Sequence, residues 1–251
     1  MNVEMRLHRK LIGWVLTPPY FVVFISILCV FHVFLLLAGL FGRPQQKQVL
    51  DIMNLCIIWN IRLLTGASYR VLGTPTLPED RAVLIVSNHQ SMYDIPMIMW
   101  ACRQREIGFV AKQELGRWIP SISLSLRRLG SVLIDRKDPK RSIAAIRSFG
   151  ARKERECQVA ALFPEGTRAR DGKMKKFKST GFRALTIAMP GAIIQPIVIR
   201  GNWELLRYHF LPVPFGTCIE LEFLEPFEQG GASTEALLEQ IEDRIRGAEK
   251  A

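Results

Sequence analysis

Residues 20–41, YFVVFISILCVFHVFLLLAGLF, run for 22 positions without a formal charge. Nothing polar marks an outer face, so a soluble domain has no way to present this segment to water. Wound as a helix at roughly 1.5 Å per residue it reaches about 33 Å, enough to cross a hydrocarbon core. A secretory leader would have a shorter apolar stretch closed by a small-residue cleavage site. This run is longer and lacks AxA, which points to a retained membrane segment. Basic residues flank both ends, Arg6, Arg9 and Lys10 before and Arg43 and Lys47 after, so charge does not choose an orientation. Residues 47–66, KQVLDIMNLCIIWNIRLLTG, place Lys47, Asp51, Asn54 and Arg62 along roughly one stripe of an otherwise apolar helix. That pattern suits a helix lying in the membrane interface. One span, or two helices dipping into a single leaflet, satisfies these flanks equally well.

The net charge is +11, from 34 Lys and Arg against 23 Asp and Glu, which speaks for an anionic partner. Cys29, Cys56, Cys102, Cys157 and Cys218 are scattered and odd in number, with no metal-ligand spacing; a reducing, cytosol-facing domain follows. Past residue 66 short β-favouring runs at 82–87, 107–111, 130–135, 157–163, 194–199 and 216–223 alternate with helix-like stretches near 94–103, 139–154 and 180–189. Leu237, Leu238, Ile241 and Ile245 form the apolar face of a C-terminal helix. The expected fold is α/β, a mixed, largely parallel sheet flanked by helices, with an N-terminal hydrophobic helical membrane module. The expected division is 1–66 for the membrane-anchoring helices and 67–251 for the α/β domain.

The most informative stretch is AVLIVSNHQSMYD at 82–94, a buried strand that breaks into a polar cluster. On one continuous helix a spacing of five sets His89 and Asp94 about 140° apart, so they meet only across a bend. Pro96 belongs in the first turn of a helix, which puts the helix start near Asp94 and leaves 88–93 as a loop. Such a loop can fold His89 back over the helix entry, where a carboxylate holds one imidazole nitrogen and frees the other as a base. Asp94 also stands where an N-cap belongs, and capping alone would justify it. His89 could equally be a surface residue at a strand end.

Three further blocks keep this pair company: GSVLIDR (130–136), FPEGTRAR (163–170) and QPIVIRG (195–201). Strand ends gathered at one edge of an α/β sheet are where sites are usually built. From Glu165 to Arg183 the chain carries seven Lys or Arg and two acids, most of them accounted for by a solvated basic face. Gly166 leaves room beside Arg168 for a ligand phosphate.

In this order the four blocks resemble the glycerolipid acyltransferase superfamily, most closely its bacterial members that acylate 1-acyl-sn-glycerol-3-phosphate. The His-x4-Asp block matches NHQSMYD; GSVLIDR, FPEGTR and the proline-bearing QPIVIRG match the other three. FVAKQELGRWIP (109–120) is similar to the segment between the first two, and the likeness covers roughly residues 66–225. At FKSTGFRAL (177–185) the family more often has a second basic residue and glycine after FK, so the carry-over to Lys178 rests on a weaker match.

The resemblance implies that His89 is general base on the free hydroxyl of lysophosphatidic acid, with Asp94 orienting it. The donor it implies is a fatty acyl thioester, acyl-CoA or acyl-acyl carrier protein; the thiol leaves without a covalent acyl-enzyme and the product is phosphatidic acid. It further implies that Glu165, Gly166, Thr167 and Arg168 bind the glycerol phosphate with help from Arg136, and that Pro196 shapes the acyl-donor side. It calls for no metal, nucleotide or other cofactor. It places the protein at the bacterial inner membrane among its lipids, the catalytic domain facing the cytoplasm. Glycerol-3-phosphate or another lysophospholipid is the rival acceptor, and a non-catalytic membrane-bound lipid-binding protein the rival class. A serine hydrolase would want Gly-x-Ser-x-Gly, which is absent. A phosphate loop fails because five residues, not four, separate Gly166 from Gly172-Lys173, and Met174 follows. Nucleic-acid binding would explain the charge but neither the apolar run nor the His-Asp pair.

Overall fold

The computed structural model describes residues 3–250. Two long helices, α1 (Val3–Ala38) and α2 (Arg43–Thr65), form an N-terminal hairpin. The flanking Arg6 has a side chain outside the described residues. Then follow β1 (Ser68–Leu72), β2 (Val83–Ser87), α3 (Asp94–Ala101), β3 (Ile107–Lys112), α4 (Ile122–Arg128), β4 (Val132–Ile134) and α5 (Pro139–Arg155). The chain closes with β5 (Val159–Leu162), α6 (Ser179–Ala188), β6 (Ile193–Arg200), β7 (Cys218–Phe223) and α7 (Thr234–Lys250). The seven strands lie in the order β1-β7-β6-β2-β5-β3-β4. All neighbours are parallel except β6 and β7, so β7 and β1 run against the rest.

Strand β2 is buried at all five positions because helices cover both sheet faces. Val83 and Ile85 point to a core shared with Tyr20, Phe24 and Leu28 of α1, Met53 and Ile57 of α2, and Met97 of α3. Leu84 and Val86 point the other way, to Ile146, Phe182, Leu185 and the Leu237–Ile245 face of α7. The hairpin is therefore one wall of the domain's own core.

The mixed, mostly parallel sheet agrees with the expectation from the sequence. Strand limits moved inward at 130–135 and 157–163, where turns take the outer residues. Strand β1 and helix α4 were not foreseen: β1 is half exposed at an edge, and α4 spans only seven residues. The polar stripe of α2 also differs from its expected role. Asn54 is buried with its amide toward Met99 Sδ at 3.7 Å. Lys47 bonds Asp51 at 2.6 Å and the Arg103 carbonyl. The stripe thus packs on the domain, Arg62 excepted, while Ile52, Trp59 and Leu63 face out.

Candidate active site

Register places β2 between β5 and β6, all parallel, with Val83 opposite both Val159 and Ile193. Their carboxyl ends therefore open at one edge, and each leads into a loop carrying a polar group: His89 after β2, Glu165 after β5 and Asn202 after β6. Asn88 fastens the first loop by pairing with the backbone of Ile199, its amide donating to the carbonyl and its oxygen accepting from the N–H, each at 2.8 Å.

His89 Nδ1 lies 2.7 Å from Asp94 Oδ2. The same oxygen accepts the backbone N–H of Gln90 at 2.7 Å and of Ser91 at 2.9 Å. Asp94 is fully buried and does not cap its own helix with its side chain. Its carboxylate instead turns back on the loop that carries His89, so the capping alternative does not describe what this residue does. With Nδ1 engaged, Nε2 is the nitrogen left for a reacting group. The imidazole stacks on Phe163 at 4.2 Å between centroids, which fixes its plane.

Glu165 is buried, its Oε1 accepting the His89 N–H at 2.7 Å and its Oε2 the Lys175 N–H at 3.0 Å. Burial pushes this carboxyl above its ordinary range, and the two N–H donors pull the other way. It braces the His89 loop; it does not line the cleft. Gly166 adopts φ +71°, and a Cβ there would meet the Lys178 ammonium at 3.5 Å, so the turn needs glycine for its backbone.

A cleft of about 1050 Å³ opens before the imidazole. One wall is apolar, with Phe24, Leu28, Met53, Ile57, Met92 and Phe109. The lining also carries the cationic side chains of Arg136, Arg168, Arg170, Lys175 and Arg207, with Asp171. Burial lowers the Arg168 pKa, as does Arg170, while Asp94 raises it. Gly166 and Thr167 share the lining, and Lys175 Nζ reaches Thr167 Oγ1 at 3.0 Å.

Of the residues expected from sequence, His89, Arg136, Gly166, Thr167 and Arg168 meet at this cleft, with Asp94 and Glu165 directly behind it. Pro196 is not brought there. It sits inside β6 opposite Val86, buried, with its carbonyl bonded by Leu224. Lys178 is exposed beside the Gly166 turn, outside the lining. Arg170, Lys175, Arg207 and Asn202 were not singled out; the first two are visible in FPEGTRAR and the basic run after it, while the last two carry no local signal.

A family model described as Acyltransferase matches residues 68–200, more than half of the chain. The chain belongs to the acyltransferase family. Among similar acyltransferases, the human 1-acyl-sn-glycerol-3-phosphate acyltransferase alpha is 29% identical over 205 residues, 81% of this chain and 70% of its own length. The 1-acyl-sn-glycerol-3-phosphate acyltransferase of Helicobacter pylori is 34% identical over 145 residues, 57% of this chain and 58% of its own. The crystal structure of PlsC, the 1-acyl-sn-glycerophosphate acyltransferase of Thermotoga maritima, matches with a TM-score of 0.79 and 25% identity over 96% of this chain and 97% of that one. The acyltransferase match ends at Arg200, so the hairpin and the last two elements lie beyond the family model, yet the solved structure covers them.

Proposed function

We propose that this acyltransferase transfers a fatty acyl group from a thioester to the free hydroxyl of 1-acyl-sn-glycerol-3-phosphate, giving phosphatidic acid. The observation that carries the reading is the His89–Asp94 pair at 2.7 Å, with the imidazole facing a cleft lined by both cationic and apolar side chains. An acceptor with a phosphate at one end and an acyl chain at the other fits that polarity, and the apolar wall favours it over glycerol-3-phosphate. His89 Nε2 takes the hydroxyl proton as the oxygen attacks the thioester carbonyl. Asp94, bonded to Nδ1, stabilises the imidazolium that forms. The tetrahedral intermediate then collapses, the C–S bond breaks, and the thiolate takes the proton from His89. Arg168 and Arg136 hold the phosphate, and the Gly166–Thr167 turn lies beside it. Glu165 acts behind them by fixing the His89 backbone. Either coenzyme A or acyl carrier protein serves as the thiol in this scheme.

The division at residue 66 separates an anchoring hairpin from the catalytic domain. Helix α1 is about 54 Å long at 1.5 Å per residue, well beyond a hydrocarbon core of roughly 30 Å. It is tied to the domain along its length. Arg9 bonds the Phe215 carbonyl at 2.5 Å, Thr17 Oγ1 accepts the Val213 N–H at 2.8 Å, and Ser121 bonds the Leu28 carbonyl at 2.6 Å and His32 at 3.0 Å. A helix fastened along its length to the domain does not run alone through the bilayer, so on this reading the hairpin lies within one leaflet. Its outward residues Val22, Ile25, Val33, Phe34, Leu40 and Phe41 meet lipid, and Trp118, 96% exposed, sits next to the segment pinned to α1. Substrate enters from that leaflet, on the cytoplasmic side of the bacterial inner membrane. The test is detergent-purified full chain assayed with both donor types against lysophosphatidic acid, glycerol-3-phosphate and other lysophospholipids. Preference for any acceptor other than lysophosphatidic acid would overturn the assignment.

A further inference from the structure

Asp94 accepts four hydrogen bonds, and three of them fall on Oδ2. The fourth comes from far away in the chain: Asn202 Nδ2 donates to Asp94 Oδ1 at 2.5 Å. Asn202 is fully buried and opens the short 3-10 turn Asn202–Leu206 that follows β6. It stands one residue beyond the QPIVIRG block. Its backbone N–H donates to Gln90 Oε1 at 3.0 Å, and Gln90 in turn donates its own N–H to Asp94. Together with the Asn88–Ile199 pairing, the end of β6 grips the His89 loop from behind at two places.

The turn that aims Asn202 at Asp94 is built for that purpose. Gly201 has φ +75°, and a Cβ there would come within 2.0 Å of the Cys218 carbonyl oxygen. Only glycine lets the chain leave β6 in this direction. A carboxylate only accepts hydrogen bonds, so the amide must present its NH2 group to Asp94, which leaves Asn202 Oδ1 buried without a donor among the described residues. A buried amide aimed at the carboxylate that holds the base orients that carboxylate.

We propose that Asn202 is a positioning residue for acyl transfer: its amide fixes Oδ1 of Asp94 and thereby aims Oδ2 at His89. It touches no reacting atom, and its effect passes through the Asp94 carboxylate to the base. The inference rests on the reading of His89 as general base.

The test compares the full chain in detergent with Asn202→Leu, a substitution of like size that removes the donor, and with Asn202→Thr, which returns an O–H donor. His89→Ala serves as reference. Expected for Asn202→Leu is a fall in kcat of about 10- to 100-fold, the scale of losing one oriented bond to a charged supporting group, with KM for lysophosphatidic acid little changed. The downfield imidazole N–H proton of the His89–Asp94 bond should shift or broaden in the same variant, and Asn202→Thr should recover part of kcat. Should leucine fail to fold, Asn202→Ala removes the donor without adding bulk and should show the same loss. The inference is overturned by wild-type kcat in the donor-free variant, or by a loss of activity that leaves the downfield proton unmoved. If His89→Ala itself retains turnover, the base assignment has failed instead.

Discussion

Replacing Asp94 by asparagine tests the donor arrangement atom by atom. Oδ2 receives His89 Nδ1, Gln90 N and Ser91 N, and Oδ1 receives Asn202 Nδ2 at 2.5 Å. An asparagine that keeps its oxygen at the Oδ2 position must turn its NH2 onto the Asn202 amide, donor against donor. Flipped, it sets the NH2 against the two backbone N–H groups and the imidazole. Either way at least one buried donor is orphaned, a loss of about 1–3 kcal/mol in stability. Turnover suffers more, because the neutral amide no longer stabilises the imidazolium formed during proton transfer; a fall of about 10²–10⁴-fold is expected, the range that positioned base catalysis supplies. The assay is phosphatidic acid formation by the purified variant, with thermal unfolding followed in the same detergent. An Asp94→Asn enzyme within a few-fold of wild-type turnover would refute the reasoning.

Arg168→Ala should raise KM for lysophosphatidic acid far more than for the acyl thioester, with Arg136→Ala milder in the same sense; equal effects on both substrates would count against phosphate contacts. Lys153 is fully buried, its ammonium 2.8 Å from Gln158 Oε1, and burial pulls its pKa down to about 8 from 10.5 while Glu106 partly resists. Between those values the unfolded chain holds the extra proton, so stability rises with pH across roughly 8–10.5. The gain in stability of Lys153→Met over wild type, on the order of 3 kcal/mol at most below pH 8 and read as a rise in Tm, should therefore shrink through this window. Membranes washed in molar salt should retain the full chain and release it only to detergent, since an inserted apolar face is not screened; release by salt alone would contradict the hairpin's insertion.

The sheet was legible because its central strands are buried on both faces and read as unbroken apolar runs, as in VLIVS at 83–87. The His89–Asp94 geometry was legible because Pro96 marks the helix start and leaves a short loop that must bend. Glu165 was placed in the right turn, yet its sequence context does not separate a carboxylate that braces the His89 backbone from one that meets substrate. Pro196 carried a role from the resemblance alone, and the structure buries it in the middle of β6. Asn202 was hidden by distance, 108 residues from the carboxylate it supports. The α2 stripe misled for a related reason: periodicity reveals a polar face but not whether water or a neighbouring helix will cover it.

The central claim, that His89 takes the proton from the acceptor hydroxyl, is tested most directly by the rate at which purified His89→Ala converts lysophosphatidic acid and acyl-CoA to phosphatidic acid. The expected result is turnover lowered by at least about 10²–10⁴-fold, with the variant folded and still binding lysophosphatidic acid. Turnover within tenfold of wild type would contradict the claim.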